Sequence, residues 1–209
     1  MYTPQFNHLE DQEQIREMVA AARVGWLVTV GSDGAPLATL LPLLWQGDIV
    51  ITHMAKANRH WREIGRDAKA LVVVTGPDAY ITPSWYEGKS EHGKVVPTWN
   101  YTAVHLSGTA NVHDDPDWLR AAVTDLTDRH EQPRTDPWEV DDAPDAFIDG
   151  QLRSIVGVEV RVETVEAKAK LSQNRSVVDQ RNVIDGLADE PHPRAGEVAE
   201  AMRALLPEV

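Results

Sequence analysis

Three apolar runs joined by two tight glycine-bearing breaks govern what this chain can fold into. Val24-Gly25-Trp26-Leu27-Val28-Thr29-Val30 is β-branched and aromatic; Ser32-Asp33-Gly34 follows, then Leu37 to Trp45, then Gln46-Gly47, then Asp48 to Met54. An Asp-Gly pair between apolar runs is a strong hairpin signal, because glycine accepts the positive φ that such turns demand. Strands joined so closely run antiparallel, so the segment predicts a meander that continues into a barrel or a curved sheet.

The flanking sequence adds helices and further strands. Ile15, Met18, Val19 and Ala22 recur at helical spacing and predict an amphipathic helix over 10–22. A short helix is expected over 61–66, and a buried strand over 70–75 that stops at Gly76-Pro77 before Tyr80-Ile81-Thr82. Pro83 to Pro97, rich in Gly, Ser, Lys and Glu, reads as a long exposed loop. A strand over 101–112 precedes a helix opened by Pro116, with Leu119, Ala122, Val123 and Leu126 on one face. A second helix over 142–152, a strand over 155–164 and a closing helical stripe of Ala195, Val198, Ala199, Met202, Leu205 and Leu206 complete the pattern. At 209 residues the expectation is one mainly-β domain over 1–209 with peripheral helices and a helical extension from about 175 to 209.

Charge and composition narrow the function. The formal net charge is −13, which disfavours direct contact with nucleic acid, whose affinity rests on cations that displace counterions from phosphates. Cysteine is absent, so disulfides, thiolate nucleophiles and cysteine-ligated metals are excluded. No stretch approaches the ~18 apolar residues of a membrane span, and the N-terminus lacks a signal-peptide pattern; a cytoplasmic address is expected. The eight histidines are scattered and no His-Glu-x-x-His occurs, so no metal site is expected. Rossmann, P-loop and Gly-x-Ser-x-Gly signatures are missing as well.

Four segments carry polar chemistry within this apolar framework. Thr52-His53-Met54-Ala55-Lys56-Ala57-Asn58 ends a strand before a helix, where Thr52, His53, Lys56 and Asn58 could hold an anionic phosphate; the alternative is a solvated loop. In Val96-Pro97-Thr98-Trp99-Asn100-Tyr101 two aromatics flank an amide, suited to a flat ring and its edge, or to a packed strand start. Lys168-Ala169-Lys170-Leu171-Ser172-Gln173-Asn174-Arg175 is basic and amide-rich, and Ser176-x-x-Asp179 fits a helix cap. Trp85 and Tyr86 either line a pocket or anchor the loop by burial.

In this order and spacing, six pieces resemble the PaiB-type family of FMN-binding negative transcriptional regulators, within the split-barrel superfamily. They are Met1-Tyr2-x-Pro4, Leu41-Pro42-Leu43-Leu44, His53 to Asn58 with Trp61, Gly76-Pro77 through Tyr86, Val96 to Tyr101 with Val104-His105, and Lys170 to Arg175. The resemblance implies a six-stranded antiparallel split β-barrel, a homodimer, and an FMN in a groove shared by two protomers. It places Thr52, His53, Lys56 and Asn58 at the ribityl phosphate, Trp99, Asn100 and Tyr101 near the ring, and Gln173, Asn174 and Arg175 on a polar wall. Leu40 and Arg59 depart from the family pattern, which has histidine and proline there; the first removes a polar group beside the groove and the second adds a charge near the phosphate. Two functions are implied: a regulator acting through bound flavin, with a small molecule or protein as its partner, or an FMN-dependent oxidoreductase using a nicotinamide donor.

Overall fold

The computed structural model describes residues 1–206; the final three positions of the expected C-terminal extension lie outside the described residues. Helix α1 (Gln12–Ala22) leads into strands β1 (Val24–Val30), β2 (Pro36–Gln46) and β3 (Ile49–Ala55). A single-turn helix α2 (His60–Glu63), strand β4 (Ala68–Ile81) and a short helix α3 (Gly88–Glu91) follow. Strand β5 (Thr98–His113), helices α4 (Pro116–Glu131) and α5 (Asp145–Leu152), and strand β6 (Ile155–Lys170) come next, and helices α6 (Val177–Ala188) and α7 (Ala195–Leu205) end the order. The six strands form an antiparallel closed barrel in the order β1-β2-β3-β6-β5-β4, the split-barrel fold the sequence predicts.

The residues divide into two compact units, and α1, β4, β5 and β6 contribute to both. One unit holds residues 16–74 and 105–165. Here the predicted meander is realised: Gly34 takes φ +83° in the turn that joins β1 to β2, and the Gly34 N–H donates to the Gly31 carbonyl at 2.9 Å. The ring closes where Trp26 to Thr29 of β1 pair with Val73 to Ala70 of β4. Along β1, Gly25, Leu27 and Thr29 point inward and Val24, Trp26 and Val30 outward, the alternation a pleated strand imposes. Asp115 caps α4 by accepting from the Trp118 N–H, and Leu119 packs with Val140, Ile148 and Leu152 of the acidic connection and α5.

The other unit holds residues 1–15, 75–104 and those from 166 on. Its core joins Ala79 and Ile81 of β4, Ala169 of β6 and Leu171 to Val183, Ile184 and Leu187 of α6 and Val198, Ala199 and Met202 of α7. Burying each large aliphatic side chain contributes about 1.5–3 kcal/mol. Ser176 caps α6 by accepting from the Asp179 N–H, as its spacing predicts.

Four local expectations are corrected. β4 does not stop at Gly76-Pro77: its register with β1 covers only Ala70 to Val73, so the N–H that Pro77 lacks falls beyond that ladder. β6 continues past Thr164 to Lys170, with Ala167 and Ala169 turned to one face and Lys168 and Lys170 to the other. Pro83 to Pro97 is not a bare loop: Thr82 caps a 3-10 turn over Pro83–Trp85, α3 follows, and Tyr86 is buried. Trp85 anchors this segment against Gly186, where a Cβ would lie 2.2 Å from the indole. The expected helix over 61–66 is the one turn of α2, since Ile64 already adopts extended backbone.

Candidate functional site

The first group of predicted residues sits where β3 ends. Thr52 is buried and its hydroxyl donates to the Pro42 carbonyl at 2.6 Å, so it serves the β2–β3 pairing. His53 pairs with Gly157 of β6, and its Nδ1 is buried with no hydrogen-bond partner among the described residues. Burial holds its imidazole below the usual histidine range. The Lys56 ammonium lies 2.6 Å from Asp114. Its backbone N–H donates to Ser154 and its carbonyl accepts from the Trp61 indole, fixing the turn after β3.

Asn58 belongs to a partly buried polar chain. Its carboxamide accepts from the His60 N–H at 3.0 Å and donates to the Thr39 hydroxyl at 3.3 Å. His60, which sequence reasoning did not select, bridges Thr29 at 2.8 Å and Thr39 at 2.7 Å through its two ring nitrogens. Burial keeps this imidazole below its usual range too, so the neutral ring is favoured. Asn58, Arg59, His60, Thr39, Ser32 and Glu63 are among the residues lining a cavity of about 430 Å³. Arg59 is exposed there and is the cation nearest to hand for an anion, since Lys56 is already matched by Asp114.

The second group lies in the other unit. Asn100 is fully buried, and its amide donates to the Ser172 hydroxyl at 3.0 Å and to the Met202 sulfur at 3.3 Å. Gln173 folds back, accepting from the Leu171 N–H at 2.7 Å and donating to the Ala169 carbonyl. Both amides therefore shape the turn that follows β6, in which Ser172 takes φ +64°. Asn174 is exposed. The Arg175 guanidinium lies 4.3 Å from the centre of the Tyr86 ring. Among the described residues the Tyr86 hydroxyl has no partner of hydrogen-bonding geometry; burial raises its pKa, opposed by the charge of Arg175.

Trp99 and Tyr101 occupy the opposite face of the strands from Asn100. Trp99 is 54% exposed and meets Tyr80 edge-on, with ring centres 6.0 Å apart. Tyr101 lies beneath two ammonium groups absent from the predicted set, Lys168 at 5.2 Å and Lys170 at 6.0 Å from the ring centre. The signal that could have revealed them is their two-residue spacing, which puts both on one face of a strand. The structure thus gathers Thr52, His53, Lys56 and Asn58 in one unit, and Trp99 to Tyr101 with Gln173 to Arg175 in the other. Among the described residues no cluster of three or more His, Asp or Glu could hold a metal ion, and no helix is long and apolar enough to cross a membrane.

Residues 1–164 match the family model described as "Putative FMN-binding domain". The chain is 35% identical over 210 aligned residues to the protease synthase and sporulation protein PAI 2 of Bacillus subtilis, covering 99% of this chain and 98% of that protein. Among solved structures, the conserved hypothetical protein Rv2991 of Mycobacterium tuberculosis superposes with a TM-score of 0.60 at 16% identity, covering 85% of this chain and 97% of that one. The FAD and heme binding protein of Mycobacterium smegmatis gives a TM-score of 0.58 at 18% identity, covering 78% and 73%. At these identities the two structures support the fold alone.

Proposed function

Because the chain belongs to the FMN-binding domain family, we propose that it holds flavin mononucleotide and acts through it as a PaiB-type regulator. The observation that carries the reading is the His53 Nδ1: a buried ring nitrogen with no partner among the described residues, at the strand end where the sequence pattern expects the cofactor. An orphaned buried polar atom costs about 1–3 kcal/mol, which a ligand hydrogen bond would recover. Lys56, Asn58 and Arg59 would supply charge and donors to the phosphate. Asn100 and Gln173 would act by shaping the turn that carries Asn174 and Arg175. Bound flavin supplies redox chemistry; these residues would bind and orient it.

The acidic charge of −13 favours regulation through a small molecule or a protein partner over direct DNA contact. A homodimer fits the exposed outer face of β1 and β2, where the cross-strand pairs Trp26–Leu40, Val24–Pro42 and Val30–Pro36 form an apolar ladder. A contiguous apolar patch of this kind on a sheet suits a self-complementary contact with a second copy. Leu40 extends that ladder. The cytoplasm is the address consistent with this function.

Titration of purified protein with FMN and then a reduced nicotinamide tests the reading. Binding without bleaching of the flavin absorbance is the expected result; turnover would assign the FMN-dependent oxidoreductase instead, and failure to bind would remove both.

A further inference from the structure

In the unit formed by residues 1–15, 75–104 and those from 166 on, the strands have two unlike faces. Ala79, Ile81, Asn100 and Ala169 look toward α6 and α7. Strand alternation puts Tyr80, Trp99, Tyr101, Lys168 and Lys170 on the other side. In a chain of net charge −13, two lysines side by side on one strand are held by neutral groups. Lys168 is only 7% exposed, yet among the described residues its ammonium makes one hydrogen bond, to the Tyr2 carbonyl at 3.1 Å, and faces the rings of Tyr2 and Tyr101. Lys170 donates to the Thr98 hydroxyl at 2.6 Å and to the Trp99 carbonyl.

An ammonium carries three donors, so donors remain on both lysines. A buried cation without an anion is costly, and two adjacent ones repel. Burial first, and then the charges of Lys168 and Arg175, push the Lys170 ammonium below the usual lysine range. Beside this charge stand Trp99 and Tyr80, large aromatics about half exposed and set edge-to-face. Such a pair presents a platform for a flat ring.

We propose that this face is a binding site for a small planar molecule bearing a carboxylate, with Lys168 and Lys170 taking the charge and Trp99 the ring. The overall negative charge disfavours a polyanion and favours a compact anion as the fitting ligand. The proposal rests on the flavin reading in one respect: there the flavin phosphate is assigned to Lys56, Asn58 and Arg59, which leaves these lysines to a second anion, the substrate or effector.

The test is heteronuclear NMR of the full chain, with and without FMN, titrated with benzoate, with benzamide as the ring without charge and acetate as the charge without ring. Benzoate is expected to shift the amides of residues 98–101 and 168–172, and to bind at least about tenfold more tightly than either control, a difference of one ion-pair-sized interaction. Lys170→Met and Trp99→Ala should each lower benzoate affinity by about tenfold, the second at an exposed position that the fold tolerates. Lys170→Arg should retain it. Benzoate shifts that are absent from these residues, or that survive unchanged in Lys170→Met and Trp99→Ala, would overturn the proposal. So would a Lys170→Met variant that weakens FMN but not riboflavin, since the lysine would then serve the flavin phosphate. Failure of the wild-type chain to bind FMN would strike the flavin reading alone, because the flavin-free benzoate titration decides this site by itself.

Discussion

Trp26 and Leu40 face each other across β1 and β2 with 45% and 48% of their surface exposed. Side chains opposed in this way on neighbouring strands sit about 4.5–5.5 Å apart at Cβ, so they act as one apolar unit. Under the proposed function that unit is covered by a second copy. Trp26→Lys or Leu40→Lys, which leaves the inward face of each strand untouched, should give a monomer mass by light scattering where the parent gives a dimer. A parent that is monomeric, or a charged variant that stays dimeric, would remove this face from the interface.

The Lys56–Asp114 ion pair sets up a competition. Asp114 holds the ammonium at 2.6 Å. Asp114→Asn frees that charge and should tighten FMN binding, whereas Lys56→Ala should weaken it by roughly tenfold or more, from about 1.5–3 kcal/mol for a charge-assisted hydrogen bond. Riboflavin, which lacks the phosphate, should be insensitive to both changes. Equal effects on FMN and riboflavin would place Lys56 away from the phosphate.

Asn100 is expected to be structural first. Removing its amide leaves the Ser172 hydroxyl buried without this partner, at a residue already held at φ +64°. Asn100→Ala should therefore cost about 1–3 kcal/mol in urea denaturation. Asn174→Ala, at an exposed position, should leave the midpoint within about 0.5 kcal/mol of the parent.

Stability should also depend on pH through His53 and His60. Both folded-state pKa values lie below the ordinary 6.5 because of burial. Above pH 6.5 the rings are neutral in the folded and unfolded chain, and they impose no proton-linked penalty. As pH falls below 6.5 the unfolded chain takes up protons first, so this contribution to stability is lost progressively toward the folded-state values. Melting temperature should drop between pH 7 and pH 5, and His60→Gln, which keeps a polar group near Thr29 and Thr39, should flatten the decline. An unchanged slope in that variant would separate His60 from the effect.

The barrel was legible because its information is local. Period-two burial in β1 and the Gly34 turn are both written in neighbouring residues. Strand ends were harder to read: Pro77 looks like a stop until the limit of the β1 ladder shows that its missing N–H falls beyond it. The site was legible by segment but not by role. Asn100 and Gln173 look like ligand-facing amides in sequence, yet Asn100 is satisfied by Ser172 and Met202, brought to it by long-range packing, and Gln173 by the backbone of its own turn. Lys168 and Lys170 look like solvated charge until β6 is seen to carry them onto an aromatic face. His60 became visible only once Thr29 and Thr39 were placed around it.

The most direct test of the account is equilibrium titration of the flavin-free chain with FMN, followed by its absorbance and fluorescence, in the parent and in His53→Leu. The account predicts saturable binding at one FMN per chain, and weaker binding when the His53 nitrogen is replaced by a side chain that cannot hydrogen-bond. Absence of saturable binding by the parent chain would contradict it.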